Sequence, residues 1–426
     1  MEPLPCTPAG AGSAVGHPMT ARHEARAIRN PSAAPAGEPY GAQRAQVMRQ
    51  AGFDAAFAEI SGWPGYAPTP LVPLPALARS LDLAAILYKD ERGRFGHYGL
   101  KSFKALGGAY AVANVLRKKV AAITGRADIG SRELLSAMHA DLVRNATVTC
   151  ATDGNHGRSV AWGAQLFGCR CVIFVHEHVS QGRRDAIARY GAEVREVKGN
   201  YDDAVRHAAA TAQANGWTVV SDTSYPGYRE IPLDVMHGYG VMAVEMTRAF
   251  GAQPPTHVLV QAGVGALAAA ICAAFWLHWG AQRPRFIVVE PTRADCVYQS
   301  LAAGRPVVVG GALDTVMAGL ACGEVSELAW EILHGGADAA VAVDDAYALE
   351  AMRRLAQPVG GDAPVVAGET GGTGLAALLA ARDYPEIRAT LALGAGSRVL
   401  LLGSEGDTDP QIYHDVVGRT AEEVIA

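Results

Sequence analysis

The sequence predicts an α/β fold with mostly parallel sheets, on three observations. Short apolar runs alternate with segments of helical apolar spacing through most of the chain. Clusters drawn from its 48 glycines follow those runs, where turns and phosphate loops occur. Half of the residues are hydrophobic and 19% are charged, so a sizeable core can form and global disorder is not expected.

The elements follow in order. Residues 1–38 are rich in Pro, Ala, Gly and Ser and read as a disordered extension. Ala42 to Ile60 has apolar residues at helical spacing, and Gly62-Trp63-Pro64-Gly65 ends that helix. Tyr66 to Leu71, with two prolines, reads as a rigid turn or extended entry. Ala85 to Lys89 predicts a strand and Phe103 to Leu116 a helix. Thr147 to Ala151 is a strand, followed by a helix from Arg158 to Phe167. Cys171 to Val175 and the helix from Gln181 to Tyr190 repeat the unit. His257 to Gln261 starts another, and Phe286 to Glu290 is a further strand. The apolar runs Leu391-Ala392-Leu393 and Val399 to Leu402 bring the pattern to its end. No short internal repeat interrupts it.

Composition excludes several classes. A net charge of −5 with no long basic stripe gives no electrostatic case for nucleic acid and favours a small-molecule substrate. Seven cysteines without a CxxC pair do not make a disulfide framework, and no metal site is expected. Cys169 and Cys171, in a strand-like run, read as core. No stretch of about twenty apolar residues predicts a membrane span, and the N-terminus lacks a secretory pattern, so a cytoplasmic protein is expected.

Three segments carry chemistry. Lys104 opens an apolar helix and is followed by Leu106-Gly107-Gly108-Ala109, small residues that admit close approach. A lysine that bonds covalently to a carbonyl group needs a pocket that disfavours its charge and lowers its pKa. Lys101 would lie on nearly the same helical face, so position alone does not separate the two. About fifty residues on comes Ala151-Thr152-Asp153-Gly154-Asn155-His156-Gly157-Arg158. Gly263-Val264-Gly265-Ala266-Leu267 follows a strand and precedes an alanine-rich helix, where backbone N–H groups can converge on a phosphate.

Tyr88-Lys89-Asp90-Glu91, Arg94-Phe95-Gly96 and Ser102-Phe103-Lys104-Ala105-Leu106-Gly107-Gly108 together resemble fold-type II enzymes that use pyridoxal 5'-phosphate (PLP). Within these, the stretch from about Tyr66 to Asp409 resembles the diaminopropionate ammonia-lyase family. The resemblance implies two open, mostly parallel α/β domains with the cofactor in the cleft between them. Residues 39–112 and 223–426 would form the large domain and 113–222 the small one. It favours Lys104 over Lys101 as the lysine bonded to the cofactor, assigns residues 263–267 to its phosphate, Asn155 to its phenolic oxygen and Ser404 to its pyridine nitrogen. Gly154 and His156 would line the substrate carboxylate pocket.

Asp153 discriminates within the fold. In the dehydratases that share it, a serine or glycine stands there, and lysine alone moves the α-proton. A carboxylate adds a second base on the opposite face, which the resemblance links to acceptance of both D and L isomers. Asp222 ends an apolar strand, where ligand crevices open, and the resemblance implies that it helps bind or activate the diamine. Asp153 and Asn155 could instead cap a helix, Asp222 form a turn and Ser404 cap one. Cys296 and Cys322 could approach each other near the site mouth, with reduced thiols the expected state in the cytoplasm.

The leading reading is a homodimeric PLP-dependent lyase that converts 2,3-diaminopropionate to pyruvate and ammonia. A serine or threonine dehydratase and a biosynthetic β-replacement enzyme are the alternatives on the same fold. A binding protein that kept the fold without activity would have lost Lys104, and Lys104 is present.

Overall fold

A computed structural model describes residues 23–136, 138–152 and 154–426. In chain order its strands are β1 (Ala25–Arg29), β2 (Leu71–Pro73), β3 (Ala85–Asp90) and β4 (Thr147–Ala151), then β5 (Arg170–His176), β6 (Glu193–Val197) and β7 (Thr218–Val219). They continue with β8 (His257–Gln261), β9 (Arg285–Pro291), β10 (Ala339–Val343) and β11 (Arg398–Gly403). Seven form one sheet in the order β1-β10-β9-β8-β11-β3-β2, and four form a second in the order β6-β5-β4-β7. The smaller sheet is parallel throughout. The larger is parallel from β10 to β3, with antiparallel β1 and β2 at its edges. Every residue of β8 and β10 is buried, as expected of parallel strands covered by helices on both faces.

Three segments differ from the sequence expectation. The disordered extension expected over residues 1–38 does not hold from residue 23 onwards: β1 pairs with β10, from Ala25 against Val343 to Arg29 against Ala339. Without it, the apolar strand Ala339–Val343 would be an unprotected sheet edge. Residues 1–22 lie outside the described residues. The helix expected over 42–60 is two, Ala42–Val47 and Gln50–Ile60, because Met48 and Arg49 are extended and Met48 is fully buried. Leu391 ends a helix begun at Pro385, and Ala392 turns the chain with φ +57°, so that apolar run is no strand.

A tight helix layer positions the site. The Lys104–Thr124 helix packs between Asn155–Phe167 and Glu230–Phe250. The approach is close enough to require glycine. A Cβ on Gly163 would lie 2.7 Å from the Ala109 Cα, and one on Gly107 would lie 2.4 Å from the Tyr239 ring. That packing holds the first turn of the Lys104 helix at the mouth of both sheets. No helix among the described residues is long and apolar enough to cross a membrane.

Candidate active site

Four strand ends supply the site residues: β4 leads to the Asn155 helix, β7 to Asp222, β8 to the 263–265 loop and β11 to Ser404. Contacts across the sheets bring them together. Phe103 N donates to Ser404 O at 2.9 Å, and Ser102 pairs with Glu405 in an antiparallel bridge. Lys104 therefore starts its helix beside the end of β11.

Lys104 Nζ donates to Asp222 Oδ2, joining the two sheets by an ion pair. His156 Nδ1 lies 3.8 Å from the same carboxylate oxygen. Its Nε2 is 2.8 Å from Val220 O, so the proton sits on Nε2, and among the described residues the buried Nδ1 has no hydrogen-bond partner. Burial works against the Lys104 ammonium, but the neighbouring Asp222 outweighs it and holds the pKa well above the usual lysine range. Burial likewise pushes the Asp222 carboxyl up, and the Lys104 ammonium overrides it and holds it well below the usual range. Burial pushes the His156 imidazole down. The lowered lysine pKa expected from an apolar pocket is thus corrected: a carboxylate beside the amine reverses the sign.

Lys101 is resolved by backbone geometry. Its φ of +52° places it before the helix rather than on it, and its Nζ pairs with the buried Asp407 at 2.5 Å. The shared helical face expected for Lys101 and Lys104 does not exist.

The 263–267 loop has unmet donors. Gly265 is left-handed, at φ +88°, and precedes the Ala266–Trp279 helix, which has no side-chain cap and no acidic residue in its first turn. Among the described residues, nothing accepts from the N–H groups of Ala266, Leu267 or Ala268. All three residues are buried, and buried helix starts need an acceptor. A phosphate meets that need, aided by the helix dipole. The loop is closed from behind by Ser326 N donating to Val264 O at 2.9 Å. A Cβ on Gly263 would lie 3.0 Å from both Cys322 Sγ and Gly319 O, and Cys296 Sγ is 3.5 Å from Gly263 O. Both cysteines therefore back this loop.

Asn155 does not cap its helix. Gly154 holds that position, and Gly154 N donates to Thr152 Oγ1 at 3.1 Å. The Asn155 amide instead donates to Glu405. Ser404 is buried and accepts from Gln261 Nε2 at 2.6 Å. Asp153 lies outside the described residues.

Sequence reasoning missed Gln261, Tyr239, Glu405, Glu369 and Thr370. Among the described residues the buried Gln261 Oε1 has no hydrogen-bond partner, Thr370 lies beside Glu405, and the Lys104 Nζ lies 5.6 Å from the Tyr239 ring centre. Burial, then the nearby Glu405, pushes the Glu369 carboxyl up to about 7. Glu405 carried a sequence signal in its place directly after Ser404, Gln261 in its place at the end of a predicted strand, and Tyr239 in a run that resembles the family's; Glu369 and Thr370 carried none. Orphaned N–H groups, a half-buried lysine and buried polar side chains around one cleft fit a phosphorylated, ring-bearing aldehyde such as PLP.

Residues 63–404 match the family described as pyridoxal-phosphate dependent enzyme. The diaminopropionate ammonia-lyase of Escherichia coli (strain K12) is 43% identical over 364 residues, covering 83% of this chain and 88% of that protein. The crystal structure of a holo diaminopropionate ammonia-lyase from Escherichia coli superposes with a TM-score of 0.83 at 38% identity, covering 93% of this chain and 97% of that one. A structure of the Escherichia coli enzyme in complex with D-serine also gives 0.83 at 38% identity, covering 94% and 98%. The cofactor is pyridoxal 5'-phosphate, and the chain belongs to the fold-type II pyridoxal-phosphate dependent enzymes, within the diaminopropionate ammonia-lyase family.

Proposed function

We propose that the protein removes ammonia from both D- and L-2,3-diaminopropionate, giving pyruvate and ammonia, as a homodimer in the cytoplasm. The observation that carries this reading is the Lys104–Asp222 pair between the sheets, a half-buried carboxylate held opposite an exchangeable cation. The kinship to diaminopropionate ammonia-lyases supports the substrate, and the D-serine bound by one of them supports entry of D isomers. The strands of the smaller sheet fall within 147–219, in keeping with a small domain over 113–222 and a large one over 39–112 and 223–426. Homodimers with two-fold symmetry are the commonest assembly.

In this reading Lys104 Nζ holds the cofactor, residues 263–267 its phosphate, Asn155 its phenolic oxygen and Ser404 its pyridine nitrogen. When bound, PLP withdraws electrons from the amino acid's Cα and makes the α-proton acidic. Ser404 Oγ accepts from Gln261, so the hydroxyl's own hydrogen is the one offered to the ring nitrogen. A hydroxyl there does not protonate the nitrogen, which suits elimination, where the leaving group takes the electrons.

Asp222 handles the second amino group. Once Lys104 Nζ carries no charge, Asp222 is a half-buried carboxylate without its cation, and the substrate's β-ammonium restores the pair. The carboxylate also keeps that nitrogen protonated, so it departs as neutral ammonia. Lys104 Nζ takes the α-proton of one isomer, and Asp153 is the base for the other. Gly154 and His156 orient the α-carboxylate.

The test is turnover by PLP-loaded protein of D- and L-2,3-diaminopropionate, L-serine and L-threonine. Two ammonia per pyruvate from either diamine isomer, with little from the hydroxy amino acids, is the expected result. Fast turnover of serine or threonine alone would make the protein a dehydratase.

A further inference from the structure

The carboxylate of Glu405 has no role in the chemistry above, yet it lies in the same cleft. Its side chain is buried and takes three donors: Asn155 Nδ2, Thr370 N at 3.3 Å and Thr408 Oγ1 at 3.4 Å. Its backbone is pinned as well. It bridges to Ser102, its carbonyl accepts from Gly368 N at 3.2 Å, and the next residue's N–H donates to Lys101 O at 3.0 Å. No cation pairs with it among the described residues.

The Asn155 amide has one orientation consistent with its two neighbours. Arg158 Nη1 approaches Oδ1 at 3.3 Å, and a guanidinium can only donate. The opposite end of the amide is therefore the nitrogen, and it donates to Glu405. The amide cannot flip without facing its N–H groups at the Arg158 guanidinium. Nδ2 has two hydrogens, and Glu405 engages one. The second is left for an acceptor in the cleft. The two residues come from opposite sheets, Asn155 after β4 and Glu405 after β11, so this hydrogen bond also sets where the small-sheet side of the cleft lies against the large.

We propose that Glu405 is a positioning residue: it orients the Asn155 amide so that its remaining N–H meets the phenolic oxygen of PLP. This rests on the reading of Asn155 as the group that meets that oxygen. Burial pushes the Glu405 carboxyl up, and the Glu369 carboxyl beside it rises for the same reason and because of Glu405. A buried Glu405 carboxyl beside Glu369, with no cation paired to it among the described residues, is costly to keep, which argues for a task beyond packing.

Titration of PLP into the apoprotein, read by visible absorption and cofactor fluorescence, tests this without turnover. Asn155→Ala and Glu405→Ala should each weaken PLP binding about ten-fold and shift the visible band. The double variant should be no worse than Asn155→Ala alone, because Glu405 acts through Asn155. Glu405→Gln, whose carbonyl still accepts, should restore binding to within about two-fold of the wild type. Should Glu405→Ala fail to fold, Glu405→Met keeps the length without an acceptor and should show the same loss. Wild-type binding and spectrum in Glu405→Ala or Glu405→Met, or losses that multiply in the double variant, would overturn the proposal. An unchanged Asn155→Ala would instead overturn the reading of Asn155 beneath it.

Discussion

Two buried charge clusters in this molecule have balanced charges and opposite designs. In the first, Lys89 and Arg94 meet Glu91 and Glu245, all with side chains at most 4% exposed. Arg94 reaches both carboxylates through two nitrogens each, at 2.7–2.8 Å, and Lys89 reaches Glu245 at 2.5 Å and Thr69 O at 2.7 Å. Thr69 and Tyr66 take up further positions on the two carboxylates. In the second cluster Lys104 has Asp222 as its one ion-pair partner among the described residues, 20% and 15% exposed, with Tyr239 at its side and a histidine nitrogen that has no hydrogen-bond partner among them. The first cluster is closed and ties β3 to the helix bearing Tyr239. The second is open, and its unused capacity faces the cleft. Charge burial alone does not mark a catalytic site here. Incomplete satisfaction does.

The sharpest break in this comparison is Lys104→Ala, which should abolish both turnover and the visible absorption of bound PLP. A variant that kept the band would move the covalent attachment elsewhere. Glu245→Ala should be the largest stability effect. It leaves Lys89 and Arg94 buried and undercompensated, at a cost of about 3–5 kcal/mol. Denaturant unfolding that matched the wild type would show the closed cluster to be dispensable. Asp222→Asn should cost far less stability, about 1 kcal/mol, because its partner can reach solvent.

The pH dependence of that difference has a defined sign. The Asp222 carboxyl is held below its ordinary value of 3.8, so its contribution is full above that value and lost as pH falls through the lower, folded one. Lys104 is held above its ordinary 10.5, so its contribution is full below that value and lost as pH rises through the higher one. The stability gap between wild type and Asp222→Asn should be flat from about pH 5 to 9 and shrink in stronger acid. A gap that changed near neutrality would assign the pair's energy to another group.

Asp153→Asn should reduce turnover of one diaminopropionate isomer far more than the other, measured by keto-acid release from each. Equal losses would make Asp153 a binding residue. The smallest effect belongs to Lys101→Ala. Its Nζ pairs with Asp407 rather than Asp222, so PLP absorption should stay within about 10 nm of the wild type and turnover within about three-fold. A large spectral shift would place its charge on the cofactor after all.

The legible parts of the sequence were those set by local pattern. β4 and β8 stand where their apolar runs predicted, because strands covered on both faces show in every residue. The loop at 263–267 was legible from its glycines and its place between strand and helix. β10 was not, since Ala339-Ala340-Val341-Ala342-Val343 reads equally as helix. β1 was hidden because its pairing with β10 lies some 310 residues away. The same distance effect hid Glu245, the anion that closes the Lys89 and Arg94 cluster. Periodicity also overran the break at Met48, where burial of one side chain decided the backbone. The site was readable as a set of candidates, but the Lys104–Asp222 ion pair and the hold of Glu405 on Asn155 are tertiary facts.

The central claim is that the open cluster uses Asp222 to receive the substrate's second ammonium. The direct test is the ratio of kcat/KM for 2,3-diaminopropionate to that for D-serine, which lacks that ammonium, in wild type and in Asp222→Asn. Only the diamine makes the charge-assisted hydrogen bond that this substitution removes, so the ratio should fall by about 10- to 100-fold. Equal reductions for both substrates, leaving the ratio unchanged, would contradict the account and reduce Asp222 to a partner of Lys104.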